Sequence, residues 1–108
     1  MSGQTQRGQL EKDDSGFSVG WNYNYITATG ATLVKSGGAM LHNIAVNKPV
    51  SGCVITLNDA TAAGSGTFAQ ITFGSSTIPT FVNYDVTLTN GLVVNVTNAA
   101  ANITVSYV

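Results

Sequence analysis

Few side chains in this 108-residue chain are equipped for chemistry. His42 is its one histidine, Cys53 its one cysteine, and past residue 14 its only acids are Asp59 and Asp85. A Ser/His/Asp relay would need His42 beside one of those aspartates and a serine within hydrogen-bond reach. No G-x-S-x-G elbow or comparable motif marks such a serine. His42 falls in line with Met40, Ile44 and Val46 in an alternating stretch, so it is expected to be half-buried, donating to a backbone carbonyl. Asp59 opens the stretch "NDATAAGSG". One carboxylate falls well short of the roughly six to eight oxygens of a calcium site, so an Asx-turn is expected there. Asp85 sits mid-strand and is expected to face solvent or pair with a lysine. Paired glycosidase acids could only be Asp59 and Asp85 within the body, and nothing in their spacing brings them together. Cys53 is in line with Ile55 and Leu57, which suits a buried, inert thiol. The expectation is a protein with no catalytic residues, metal or cofactor.

Trp21, Tyr23 and Tyr25 form the other notable set. Their period-two spacing places them on one face of a strand, with Asn22 and Asn24 on the other. Such a stripe can stack on sugar rings, or it can fill a core or a subunit interface, where Trp and Tyr are enriched. With no acidic or basic neighbours to bind sugar hydroxyls, the core or interface reading is favoured.

Charge narrows the classes further. Net charge is −1 and only nine residues are charged, five of them among the first 14 (Arg7, Glu11, Lys12, Asp13, Asp14). Lys35, Lys48, Asp59 and Asp85 are all that remain beyond residue 14, and they cancel. No basic cluster exists to displace phosphate counterions, so nucleic acid is not an expected partner. No apolar run approaches the ~18 residues of a spanning helix, so no membrane segment is expected. The N-terminus lacks the apolar centre of a secretory leader. With one cysteine there is no internal disulfide, consistent with assembly in a reducing compartment. The "NVT" at Asn95 and "NIT" at Asn102 then read as ordinary polar strand residues. A soluble monomer usually carries about 25–35% charged residues on its surface. A body covered instead by Thr, Asn, Ser and Gly suits assembly against other protein.

The elements that must position these residues are strands. Residues 1–16, "MSGQTQRGQLEKDDSG", have the composition of an extended arm, and residues 17–108 form the domain. The arm is expected to lie on a partner or a neighbouring copy, the alternative being that it packs along its own domain. After Gly16 the pattern has period two throughout: "WNYNYITA", "TLVKS", "AMLHNIAVN", "CVITLN", "TFAQITF", "FVNYDVTL", "LVVNVT" and "NITVSYV". These eight runs are rich in Val, Ile, Thr, Tyr and Phe and are separated by turn clusters such as "SGG", "NKPVSG" and "GSSTIP". "DATAAG" has room for one helical turn and no more. Eight short strands with one-sided alternation predict an all-β, antiparallel β-sandwich, an eight-stranded jelly roll with an extended N-terminal arm. Exposed sheet edges are commonly blunted by Lys or Pro. With two of each in the body, the edges are expected to be covered by neighbouring subunits.

The stretch Asn83–Thr97, "NYDVTLTNGLVVNVT", carries a register expectation. A two-residue Asn-Gly turn would set an apolar stripe against a half-polar one. A three-residue loop, Thr89-Asn90-Gly91, pairs Leu88 with Leu92, Val86 with Val94 and Tyr84 with Val96 on a single face. That loop is a type I turn followed by a bulge, with positive φ at Gly91.

From Leu33 onward, about 76 of the 108 residues, the chain resembles the capsid decoration or cement proteins of bacteriophages. The likeness is carried by "LVKSGGAMLHNIAVNKPVSGCVITLND", "YDVTLTNGLVVNVT" and the closing "ANITVSYV". It comprises a Gly pair, an aliphatic-His strand, a strand ending Leu-x-Asp, an Asn-Gly-Leu corner and a Val/Thr/Tyr terminal strand. The resemblance implies a small non-enzymatic β-sandwich on the outside of a virion, made in the host cytoplasm and present as a homo-oligomer, a trimer or dimer. Its partner would be the major capsid protein, whose neighbouring subunits it bridges. Attachment would run through the arm, with Arg7, Leu10, Glu11 and Lys12 as the candidate contacts. The alternative is a carbohydrate-binding or host-adhesion module of a head fibre that uses Trp21, Tyr23 and Tyr25.

Overall fold

The computed structural model describes residues 20–74 and 80–108. The arm of residues 1–16, with Arg7, Leu10, Glu11 and Lys12, lies outside the described residues. Each of the eight alternating runs forms a strand. They are β1 (Asn22–Ile26), β2 (Gly30–Ser36), β3 (Ala39–Lys48), β4 (Val54–Asn58), β5 (Thr67–Thr72), β6 (Phe81–Leu88), β7 (Gly91–Thr97) and β8 (Asn102–Tyr107). "DATAAG" forms turns and bends without a helix.

Two four-stranded antiparallel sheets result, ordered β1-β8-β3-β6 and β2-β7-β4-β5. Every connection except β4–β5 crosses from one sheet to the other. The chain is thus one long hairpin folded over itself, with β1–β8, β2–β7, β3–β6 and β4–β5 nested. That order is the double-sheet jelly roll expected from the strand count. The core between the sheets is apolar. Leu41, Ile44, Ile103 and Val105 from one sheet meet Ile55, Leu57, Leu92, Val94 and Val96 from the other, all essentially without solvent contact. Each such side chain contributes about 1.5–3 kcal/mol relative to exposure. Cys53 is buried among them as expected, and burial raises its thiol pKa against the lowering effect of a hydrogen bond from the Ala101 backbone.

Two local expectations fail. The Asn83–Thr97 stretch is not a hairpin: β6 pairs with β3, while β7 pairs with β2 and β4 in the opposite sheet. Asn90-Gly91 is therefore a corner between sheets. Leu88, Val86 and Tyr84 share the core with Leu92, Val94 and Val96 by facing them across it rather than beside them. Matching apolar faces are required by either arrangement, so the pattern alone did not separate them. Gly91 does have positive φ, +154°. The tighter constraint is space, because a Cβ there would stand 2.7 Å from the carbonyl oxygens of both Lys35 and Ala60.

The second failure is His42. It does not share the face of Ile44 and Val46, because β3 is bulged at that point. Leu41 pairs with Val86 and Tyr107, and Asn43 with Asn83 and Ser106. Between these pairs β8 offers no residue opposite His42, while β6 offers two, Tyr84 and Asp85. The inward set shifts from Ala39 and Leu41 to Ile44 and Val46, and Met40 and His42 turn outward. Re-aiming a side chain in this way is a characteristic use of bulges.

Candidate functional site on an outer sheet face

The outer face of the β1-β8-β3-β6 sheet collects the chemistry that alternation alone would have scattered. On β1, Tyr23 and Tyr25 point away from the core, and Trp21 precedes them; the three are 72%, 54% and 47% exposed. The core reading of this stripe is thereby excluded. Pairing registers lay out the rest of the face. One row across the sheet runs Tyr25, Thr104, Ala45, Phe81, and the next runs Tyr23, Ser106, Asn43, Asn83. Large rings therefore stand on the two edge strands, with small side chains between them. Met40, which alternation sets in line with Ile44 and Val46, is a further exposed apolar group of this face, as are Phe81 and Val108, which were not singled out from the sequence. Their signal was the alternation itself, which marks Phe81 as outward once Val82 and Tyr84 are taken as inward.

At one end of this face stands a polar pair. His42 Nδ1 donates to Asp85 Oδ1 at 2.5 Å, and the indole of Trp21 stacks on the imidazole with ring centroids 4.2 Å apart and planes 13° from parallel. Asp85 thus faces solvent, one of the two placements expected for it, with His42 rather than a lysine as its partner, and Asp85 replaces the carbonyl expected for His42. Asp85 has φ +52°, a left-handed conformation that Asp tolerates better than most residues because its short side chain can hydrogen-bond locally. Side-chain exposure is 30% for His42 and 61% for Asp85, so the pair is open to solvent on its outer side. With Nδ1–H held by the carboxylate, Nε2 is the imidazole's remaining polar atom. A carboxylate orienting an imidazole is the supporting half of a catalytic triad. Among the described residues no hydroxyl hydrogen-bonds to that imidazole.

Asp59 lies elsewhere, at the end of β4 in the other sheet, and does not form an Asx-turn. Its carboxylate reaches across the fold to accept the backbone N–H groups of Thr89 (3.1 Å), Asn90 (2.8 Å) and, longer, Gly91 (3.4 Å). These bonds, the Asn90 and Thr89 amides foremost, hold its pKa below the usual carboxylate value, against a smaller opposing effect of desolvation. Asp59 thus clamps the β6–β7 corner. A shallow cleft of about 510 Å³ opens beside it, between the 60–66 loop and Asn90. With its oxygens taken by amides, Asp59 is poorly placed to serve a cation there. Among the described residues no three His, Cys, Asp or Glu side chains gather into a metal site. Behind the loop, the buried Asn58 amide donates to Ser65 O and Thr67 Oγ1 and pins the loop to β5.

Compared with protein-family models, with curated proteins and with solved structures, the chain matches none of them.

Proposed function

We propose that this chain is a structural virion protein: a cement protein that binds the outer surface of a phage capsid and bridges neighbouring subunits of the major capsid protein, without catalysis. The reading starts from the sequence likeness stated above and is supported by the β-sandwich. One observation carries it, the disposition of charge. Beyond residue 14 there are four charged residues, and both carboxylates are hydrogen-bonded within the chain, Asp59 to the corner amides and Asp85 to His42. Four charges that cancel are all that keep the body of 92 residues dispersed, far below the usual surface charge of a free monomer. The edge strand β1 agrees with this. It pairs with β8 in unbroken register and contains no charge, proline or bulge, the devices that shield exposed edges. A dimer or trimer would cover such an edge. Repeated weak contacts across a lattice then multiply affinity without a large single interface.

The test is sedimentation with intact particles, measuring the ratio to the shell subunit. The full chain should co-sediment at a fixed ratio, and a chain lacking residues 2–16 should fold but fail to bind. Full occupancy by the truncated chain would overturn the assignment of the arm, and no co-sedimentation of the full chain would overturn the reading itself. A second reading, a carbohydrate-binding or host-adhesion module, is favoured by the exposure of Trp21, Tyr23 and Tyr25.

A further inference from the structure

We propose that the outer face of the β1-β8-β3-β6 sheet is a binding site for a neutral glycan chain. The rings of Trp21, Tyr23 and Tyr25 stack on the C–H faces of sugars, and the His42–Asp85 pair supplies the orienting polar contact. This develops the second reading above and is independent of capsid attachment.

Shape comes first. Same-face residues along a strand are about 6.5–7 Å apart, and the outer strands of a four-stranded sheet about 14 Å apart. The registers put Tyr23 and Tyr25 on one margin and Phe81 on the other, with Thr104, Ser106, Ala45 and Asn43 between them. The result is a floor of small side chains between aromatic margins, wide enough for a single extended chain. The stacked Trp21 and His42 rings stand at one end.

Chemistry selects the occupant. A sugar presents apolar C–H patches and a rim of hydroxyls, each able to donate and accept. The face offers rings for the former. For the latter it offers the second oxygen of Asp85, an acceptor, and Nε2 of His42, whose role follows its protonation. A flat protein surface, whether a second copy or a shell subunit, would use the same rings. It would also strip water from a carboxylate–imidazole pair that leaves two polar atoms facing outward, a costly burial without partners. Sugar hydroxyls can satisfy both atoms. The backbone strain at Asp85 supports the same conclusion. A left-handed non-glycine residue, lying within the β6 bulge opposite His42, is the kind of conformation that persists at ligand sites. Charge specifies a neutral ligand. Asp85 is the only acid on the described part of this face, and the sheet's one lysine, Lys48, lies at the opposite end of β3 from His42. Acidic sugars would meet Asp85 without a compensating cation.

The full chain is titrated with cellohexaose, chitohexaose and maltohexaose as neutral probes and with a hyaluronan hexasaccharide as the acidic one. Tryptophan fluorescence is the readout, since Trp21 is the only tryptophan. At least one neutral probe should give a saturable change and hyaluronan none. Tyr23→Ala, a substitution at the most exposed ring, and Asp85→Ala should each weaken binding about tenfold, the size of one stacking contact or one hydrogen bond to a charged group. Far-UV circular dichroism checks that both variants fold; if Asp85→Ala does not, Tyr23→Ala still decides. The proposal is overturned by the absence of saturable change with every neutral probe at millimolar concentration. Preferential binding of hyaluronan, or unchanged affinity in Tyr23→Ala, overturns it equally. Sedimentation showing an oligomer in which Trp21 is shielded from acrylamide also overturns it, in favour of a second copy on this face. Capsid co-sedimentation is scored separately, so either reading can fail alone.

Discussion

Asp59 shows how one side chain can set a remote turn. Its carboxylate gathers three consecutive N–H groups around Asn90, about 30 positions away in sequence, and so fixes the corner at which the chain leaves one sheet for the other. Because those bonds favour the ionised form, its folded-state pKa lies below the unfolded one. The clamp therefore contributes fully above the unfolded value and is lost as pH falls through the folded value. Urea midpoints measured from pH 7 downward should fall below about pH 4, the ordinary range of Asp. In Asp59→Asn the stability should be lower at neutral pH and the acid-dependent part of the fall smaller. An identical pH profile in the variant would remove Asp59 from this role. The same corner needs Gly91. In Gly91→Val the new side chain would collide with the carbonyls of Lys35 and Ala60 at a φ that β-branched residues avoid. A cost of more than about 3 kcal/mol in chemical denaturation is expected, comparable with the severe class of single substitutions.

The informative element is β3 with its two neighbours. A strand of strict alternation would have put His42 into the core with Ile44 and Val46, an unpaired imidazole among aliphatics. The bulges move it to the outer face, where Asp85 and Trp21 receive it. If Asp85 carries strain for that purpose, glycine should relieve it. Asp85→Gly should lie within about 1 kcal/mol of the parent, relief of the left-handed conformation offsetting the lost hydrogen bond. Asp85→Val loses the bond and adds strain, so it should cost about 2 kcal/mol or more. Equal stability of the two variants would show that the backbone is not strained there. None of this was visible in the sequence, because the bulge inserts one residue on each of two strands and leaves the apolar count unchanged. The aromatic stripe of β1 was visible as a stripe. Whether it faced the core or solvent depended on the inward residues Asn24 and Ile26, only one of which is strongly apolar.

At the scale of the whole molecule, the two sheets share one core, so unfolding should be a single cooperative transition. Ile103→Ala, which empties a fully buried site on the central strand β8, should cost about 2–5 kcal/mol. Cys53 provides a second readout. Its buried thiol should remain unreactive towards Ellman's reagent until denaturant opens the core, and its reactivity should rise at the same midpoint as the loss of circular dichroism. Reaction in native buffer would mean that one end of the sandwich opens separately.

By itself the sequence determined the strands, the two-sided burial and the fold class. Eight period-two runs bounded by Gly, Pro, Asn and Ser leave few ways to bury so many Val and Ile side chains, and burial is the dominant driving force. It also determined that charged residues would be few on the body and would cancel. Only the tertiary structure decided which strands pair. A face-matched hairpin and a corner between facing sheets place the same residues in the same core, and the choice rests on contacts such as Asp59 with the 89–91 amides, which link distant positions. The composition of the outer face was decided the same way. His42, Asp85 and Trp21 come from three strands or their flanks and meet only because paired strands with unequal residue counts must bulge to keep their apolar side chains inside.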